Sequence, residues 1–509
     1  RGDVIELSHA EVLDKDGNFY TKNLRAAKQK NTYILSGNGI EVFKPTFTWQ
    51  GFRYVRIDKF PDREINPDDI RAVVIHSDIK KRSSFICGNK KINQLYHNVI
   101  WGQKSNFIDI PTDCPQRDER VGWLGDAQVF VRTAAINYDV ERFFEKWLCD
   151  LALGQREDGG VYKTVPTFNA DTAARDEKGI SAGWADAAVI CPWEIYMAYG
   201  NKKILLNQFE SMKKWVDYMR NAGDEEFLWL GGDHFGDWLA TDSEEDSYQG
   251  ATPFDYIASA YFAYSTSLLI KAGKTLGYDM EEYGKLYKNI VSAFRERFTE
   301  NGLPVPQTQT AYALAICFDL CSDKAAAAEG LNRLIHENGT RLSTGFIGTP
   351  YLLYALSECG YSKTAFDLLF QENLPSWLYQ VNHNATTMWE HWDGIKEDGS
   401  FWSDDMNSYN HYAYGAVFSW IFEVAGGIQR SENGAGYKEV IINPHPDKRM
   451  EFLKTEIDTK FGKISSHWYY GIDGNIHFEF EIPDGICAKI ILPGGISQNV
   501  TGGKYLYTI

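Results

Sequence analysis

Positive charge is in short supply. The chain sets 52 lysines and arginines against 69 aspartates and glutamates, a formal net charge of −17. That balance repels nucleic acid and anionic membrane surfaces, and no basic cluster offsets it locally. Long apolar runs are missing too: nothing approaches the roughly 18 uninterrupted apolar residues of a membrane span. The eight cysteines form no CxxC pair, and a chain of this size needs no disulfide framework. Cys317 and Cys321, four apart, read as helix packing. The 11 histidines show no HExxH or other close ligand spacing, which argues against a metalloenzyme. A phosphate-cradling loop is absent as well. Nothing in the sequence requires a cofactor, although it leaves room for a structural calcium ion. The chain starts at Arg1 rather than Met, carries no signal-peptide pattern, and is expected to be a fragment.

Aromatic residues are plentiful, with 15 Trp, 29 Tyr and 29 Phe among 509 residues. They suit a large core or a carbohydrate cleft, where sugar C–H faces pack on rings. The length predicts two to four domains. Residues 1 to about 85 hold short β-branched and aromatic runs (4–7, 32–35, 52–57, 72–75) separated by turns such as Asp16-Gly17-Asn18, which suggests part of a β-sandwich. From about 90 the apolar period becomes helical. Twelve helices are predicted, near 90–106, 123–137, 139–153, 182–199, 202–221, 253–276, 279–298, 309–320, 324–336, 347–358, 362–371 and 408–424. In the fifth, Leu205, Phe209, Met212, Val216 and Met219 step along one face. Short connections alternate with long ones (154–181, 222–252, 372–407), and long loops in a compact domain usually carry function. This pattern predicts an (α/α)6 barrel over 89–428 with the long loops at one rim. Beyond 430 strands return: Ile476, Phe478, Phe480 and Ile482 alternate with polar residues after an Asp473-Gly474 turn. The predicted architecture is therefore multidomain, with a β-sandwich over 1–88, the barrel, and a second β-sandwich over 429–509.

Two carboxylate loops stand out. Residues 111–126 (PTDCPQRDERVGWLGD) pack Asp113, Asp118, Glu119, Asp126, Arg117 and Arg120 into a loop shaped by proline and glycine. Neighbouring negative charge and burial both raise a carboxyl pKa, as a general acid requires. A solvated helix N-terminus would look much the same. The second loop, Thr386–Gly394 (TTMWEHWDG), sets Glu390 between Trp389 and Trp392. Glycosidases need one acid to protonate the leaving oxygen and one base or nucleophile across the sugar. Further polar–aromatic loops, with Trp184, Asp186, His234, Asp237, Trp238 and His411, suit additional walls or equally well the core.

The run DIPTDCPQRDERVGWLGDAQVF strongly resembles the signature of bacterial α-L-rhamnosidases of glycoside hydrolase family 78. FTWQGFRYVRI, TTMWEHWDG and NSYNHYAYGAV resemble the same family, in the same order, across nearly the whole chain. The resemblance implies an inverting hydrolase releasing terminal α-L-rhamnose, with Glu119 as general acid and Glu390 as general base. It places substrate contacts on Asp113, Trp123, Asp126 and His411, and also on Trp184, Asp186 and Trp238, beside Asp237. Arg117 and Arg120 are expected to orient carboxylates. The implied partner is a rhamnose-containing glycoside, with a homodimer left open. Compartment is open between bacterial cytoplasm and periplasm or secretion. The alternatives are another (α/α)6 glycosidase or lyase, or a carbohydrate-binding protein with a dead site.

Overall fold

The computed structural model describes residues 1–62, 64–167, 179–223, 225–243 and 247–509. The expected loops over 154–181 and 222–252 lie partly outside the described residues.

Helices α1 (Lys90–Asn106), α2 (Leu124–Asn137), α3 (Glu141–Gly154), α4 (Ala187–Tyr199), α5 (Lys202–Asn221), α6 (Phe254–Leu276) and α7 (Glu281–Phe298) fill the first part of the helical region. They are followed by α8 (Gln309–Cys317), α9 (Lys324–Glu337), α10 (Thr349–Glu358), α11 (Ser362–Leu369), the short α12 (Trp377–Asn382) and α13 (Val417–Trp420). Helices α2, α4, α6, α8, α10 and α13 form a ring: α2 packs on α4, α4 on α6, α6 on α8, α8 on α10, α10 on α13, and α13 back on α2. The burial of each helix follows its place. None of α2, α4, α8 and α13 exposes a residue, as befits helices surrounded on all sides. Outer helices such as α3 and α5 bury one stripe; in α5 it is the predicted Leu205, Phe209, Met212, Val216 and Met219. Every outer-to-inner connection is long (107–123, 155–186, 222–253, 299–308, 338–348, 370–416), whereas inner-to-outer connections such as 138–140 and 200–201 are short. Antiparallel helix pairs then bring all the long loops to one rim.

The N-terminal region is a three-stranded antiparallel sheet in which Val4–Ala10 runs between Lys30–Ile34 and Tyr54–Lys59. The expected strand at 72–75 forms no ladder, and Val73, Val74 and Ile75 are exposed. One face of this sheet borders a groove of about 1650 Å³ lined by Phe43, Phe47 and Trp49 among others. The C-terminal region has a four-stranded and a five-stranded sheet whose buried faces share one core. Phe478, Phe480 and Ile482 point into it as predicted. The edge of the five-stranded sheet is Ser83–Cys87, paired antiparallel with Phe452–Thr459. The sequence reading groups residues 83–87 with the first sheet region, because no local pattern reveals a partner so distant in the chain.

The last predicted helix is broken up. Residues 407–412 are irregular, Ala413–Ala416 is a tight turn, and Ile421–Ala425 widens beyond α-helical pitch after α13. Residues 407–412 fail to join the helix because their backbone serves Glu390, as follows.

Candidate active site

The first carboxylate loop leaves α1 through a minimal hairpin (Phe107–Ile108 with Ile110–Pro111) that turns at Asp109, φ +67°. Two bonds then close the loop on itself: Asp113 N donates to Val121 O (3.1 Å), and Val121 N donates to Asp113 Oδ1 (2.9 Å). Residues 114–120 are thereby held as a knuckle. Its glycines are required by close approach. A Cβ on Gly122 would lie 2.2 Å from Val165 O, and one on Gly125 would lie 2.4 Å from the Trp184 ring.

The knuckle aims Arg117, whose side chain is 1% exposed, at three carboxylates. Its Nη1 donates to Glu390 Oε2 (2.7 Å) and its Nη2 to Glu390 Oε1 (3.1 Å). The same Nη2 lies 2.8 Å from Glu119 Oε2 and 3.7 Å from Asp113 Oδ2. The separation of Glu119 Oε2 from Glu390 Oε1 is therefore capped by the sum of two contacts, 2.8 Å and 3.1 Å, at about 5.9 Å. Trp123 Nε1 donates to Glu119 Oε1 at 2.7 Å. Arg25, from the N-terminal region, reaches Glu119 Oε2 at 2.9 Å.

Glu390 is locked by the 407–412 segment: Glu390 N donates to Ser408 O (2.9 Å), and Ser408 N returns a bond to Glu390 Oε2 (3.0 Å). Burial alone would raise its pKa, but Arg117, His411 and His391 outweigh burial and hold the carboxyl far below the usual carboxylate range. His411 Nε2 lies 2.7 Å from Asp126 Oδ1. Burial opposes the charge on His411, yet Glu390 and Asp126 push it up to about 9. Asp113 is pushed up to about 7 by burial and by the Glu119 carboxylate. Asp113 Oδ2 and His411 Nδ1 are buried without a hydrogen-bond partner among the described residues, so each has capacity for a ligand hydroxyl.

The site thus brings together Glu119, Glu390, Asp113, Arg117, Trp123, Asp126 and His411. Three other expected contacts are placed differently. The Asp237 carboxylate accepts from Gly345 N (2.9 Å), Ile347 N (2.8 Å), Gly348 N (3.1 Å) and the Thr310 hydroxyl. Asp186 accepts from Trp215 Nε1 (3.0 Å), Ser265 Oγ (2.6 Å) and Gly183 N (2.8 Å). Both are buried, and the protein's own donors engage them, four at Asp237 and three at Asp186, so they shape the rim loops. Trp184 is 3% exposed, wedged between Gly125 and Phe235. Trp389 and Trp392 also face inward: Trp392 Nε1 donates to Thr344 O (3.1 Å) and its ring stacks on Tyr414. Arg120 makes no ion pair among the described residues and sits at φ +51°; Arg117 and Arg25 do the orienting.

Sequence reasoning missed Arg25 and most of an aromatic arc. Half-buried rings follow one another from Trp123 to Phe235 (5.7 Å between centroids), Trp238 (5.3 Å), Tyr248 (5.1 Å) and Trp402 (5.3 Å). The arc ends at His391, 3.9 Å from Trp402. It therefore runs from the residue bonded to Glu119 to the one following Glu390. The resemblance supplies Trp123 and Trp238; for Phe235, Tyr248 and Trp402 the abundance of aromatics in the long loops is the only signal.

Comparison with known proteins first gives a class. Residues 80–425 match the bacterial alpha-L-rhamnosidase 6 hairpin glycosidase domain. Residues 1–76 match the concanavalin-like domain and 427–506 the C-terminal domain of the same group. The chain belongs to the bacterial α-L-rhamnosidase family. It is 38% identical over 495 residues to an alpha-L-rhamnosidase of Streptomyces avermitilis, covering 97% of this chain and 46% of that protein. It is also 38% identical over 523 residues to one of Formosa agariphila, covering 100% of this chain and 55% of that protein. The chain thus spans about half the length of these relatives. The crystal structure of the Streptomyces avermitilis enzyme complexed with L-rhamnose matches with a TM-score of 0.93 at 36% identity, over 100% of this chain and 50% of that one. The enzyme of Aspergillus terreus matches at 0.94 and 34% identity, over 100% and 59%.

Proposed function

We propose that this chain carries the catalytic centre of an α-L-rhamnosidase that removes terminal α-L-rhamnose with inversion, Glu119 acting as general acid and Glu390 as general base. The observation that carries this reading is the single buried guanidinium, Arg117, that couples two carboxylates from loops 271 positions apart beside an aromatic arc. The closed ring of six inner helices supports an (α/α)6 barrel, and the paired C-terminal sheets support a β-sandwich beyond it. The relatives named above are α-L-rhamnosidases, and one binds L-rhamnose in its crystal structure.

Glu390 is held anionic, as a base must be, and deprotonates a water on one face of the sugar. Glu119 protonates the departing oxygen on the other. Asp113 and His411 have free capacity for rhamnose hydroxyls, and the arc from Trp123 to Trp402 offers an apolar wall to the C6 methyl. An inverting pair works with its carboxyl groups about 6.5–9.5 Å apart, wider than the contact that Arg117 imposes on the nearest oxygens. The Arg117 bridge joins one oxygen of each carboxyl, so it bounds that pair of oxygens and not the separation of the two groups. Proton NMR of the first-formed sugar tests the pairing: β-rhamnose should appear before mutarotation, and early α-rhamnose would recast Glu390 as a nucleophile.

A further inference from the structure

We propose that Arg25 is a positioning residue for the general acid: it fixes the Glu119 carboxyl and steadies the carboxylate that remains after proton donation. The proposal rests on the reading of Glu119 given above. Arg25 lies outside the helical ring, on the turn that closes the Lys22–Leu24 helical segment, yet it contacts the first catalytic loop at two points. Its Nε donates to Asp118 Oδ1 (2.7 Å) and its Nη2 to Glu119 Oε2 (2.9 Å). The next residue adds a third bond, Ala26 N to Asp118 Oδ2 (3.2 Å).

A surface ion pair is usually worth little, because two long side chains must be ordered in water. Three features separate this one. Asp118 takes both the side chain of Arg25 and the following backbone N–H, so the guanidinium fork is aimed before it meets Glu119. The side chains of Arg25, Asp118 and Glu119 are only 30%, 34% and 20% exposed. Arg25 also holds φ +54°, ψ −121°, a conformation costly to any residue with a Cβ, and such outliers persist where surrounding contacts enforce them. Here the enforcing contacts are those to the acid's own loop, which Gln29 secures further by donating to Gln116 O.

The chemistry gives the contact a purpose. A general acid at this position must carry its proton on Oε1, the oxygen that Trp123 Nε1 also contacts, because Oε2 already takes two guanidiniums. As the C–O bond breaks, that proton moves to the leaving oxygen and Glu119 becomes an anion. A cation already at Oε2 stabilises that developing charge without rearrangement. Arg117 reaches the same oxygen but is shared with Glu390 across the site, whereas Arg25 is shared only with Asp118, the neighbour of Glu119 in the same loop.

The experiment compares wild type, R25A, R25K and E119Q on a dinitrophenyl and an alkyl α-L-rhamnoside. R25A should lose about tenfold to a hundredfold in kcat/KM on the alkyl substrate, at the low end of what a general acid contributes, and less than about threefold on the activated one. R25K should recover part of the loss, as should guanidinium ion added to R25A at non-denaturing concentration. An equal loss on both substrates, or none, overturns the proposal and leaves Arg25 a structural tie. E119Q separates the two readings. If it discriminates by leaving group while R25A does not, only the Arg25 proposal falls; if E119Q does not discriminate, Glu119 is not the acid and both fall. Should R25A fold poorly by thermal melting, R25K carries the same comparison.

Discussion

Arg117 is where the two ends of the site meet, and its neighbours set what substitutions will do. Glu390→Gln removes the charge that a fully buried guanidinium faces, leaving it compensated only by Glu119 and Asp113. Breaking a buried pair typically costs about 3–5 kcal/mol, so a clear drop in melting temperature should accompany a near-complete loss of kcat; an unaltered melting temperature would mean that the pair is not buried as described. Glu119→Gln should behave differently: activity lost mainly on poor leaving groups, with stability little changed, measured on the same pair of rhamnosides. At this scale the sequence was informative where chemistry is concentrated in one motif, as with Glu119, Arg117 and Asp126. It was uninformative where a side chain's partners come from elsewhere. Nothing around Asp237 reveals that residues 310, 345, 347 and 348 supply its donors, and nothing around Arg25 points to residue 119.

Helices were legible because their apolar period is local; the ring followed from their number and from the alternation of loop lengths. Boundaries moved where a catalytic demand competes with the helix. Residues 407–412 surrender helical bonds to hold Glu390, and residues 182–185 turn back so that Asp186 can accept from Gly183 N. The knuckle ahead of α2 makes a sharp prediction. Gly122→Ala places a methyl against the carbonyl of Val165, a backbone atom that Trp147 Nε1 also binds at 2.9 Å. Overpacking of this kind costs about 1–3 kcal/mol, and because the knuckle aims Arg117, kcat should fall as well. Melting temperature and kcat measured together check it; a variant matching wild type in both would show that the loop tolerates the shift.

For the whole molecule, stability should decline from mildly acidic to alkaline pH. Burial pushes Glu11 up to about 8, Asp113 to about 7 and Asp237 to about 6, while unfolded carboxyls titrate near 4. Across that interval these three groups bind more protons folded than unfolded, so each rise in pH favours unfolding through them, while His234 and His391, both held at about 4 by burial, oppose this until pH passes about 6.5. His411 acts in the same direction as the three carboxyls: its contribution is complete below about 6.5, the unfolded value, and is lost as pH passes about 9. The depressed carboxyl of Glu390 is ionised throughout this window and adds no slope. Scanning calorimetry should show a melting point several degrees lower at pH 9 than at pH 6, and the reverse order would contradict these assignments. The N-terminal sheet adds another expectation. Ile40, Val42 and Phe47 are 98%, 90% and 102% exposed beside the groove, and contiguous apolar surface of this sort binds hydrophobic dyes. This chain should enhance anilinonaphthalene sulfonate fluorescence while fully folded, and Phe47→Ser should weaken the signal without loss of activity. Finally, the pairing of Cys87 with Leu453 matters during synthesis. At about 5–20 residues per second, the edge formed by Ser83–Cys87 waits roughly 20–70 s for its partner to be made. The helical region is made between those two strands, so any folding before synthesis ends proceeds with one boundary unanchored and an unsatisfied strand edge available to other nascent chains. The last sixty residues are thus also a latch, and a chain stopped before residue 452 should accumulate as aggregate rather than as a free helical domain.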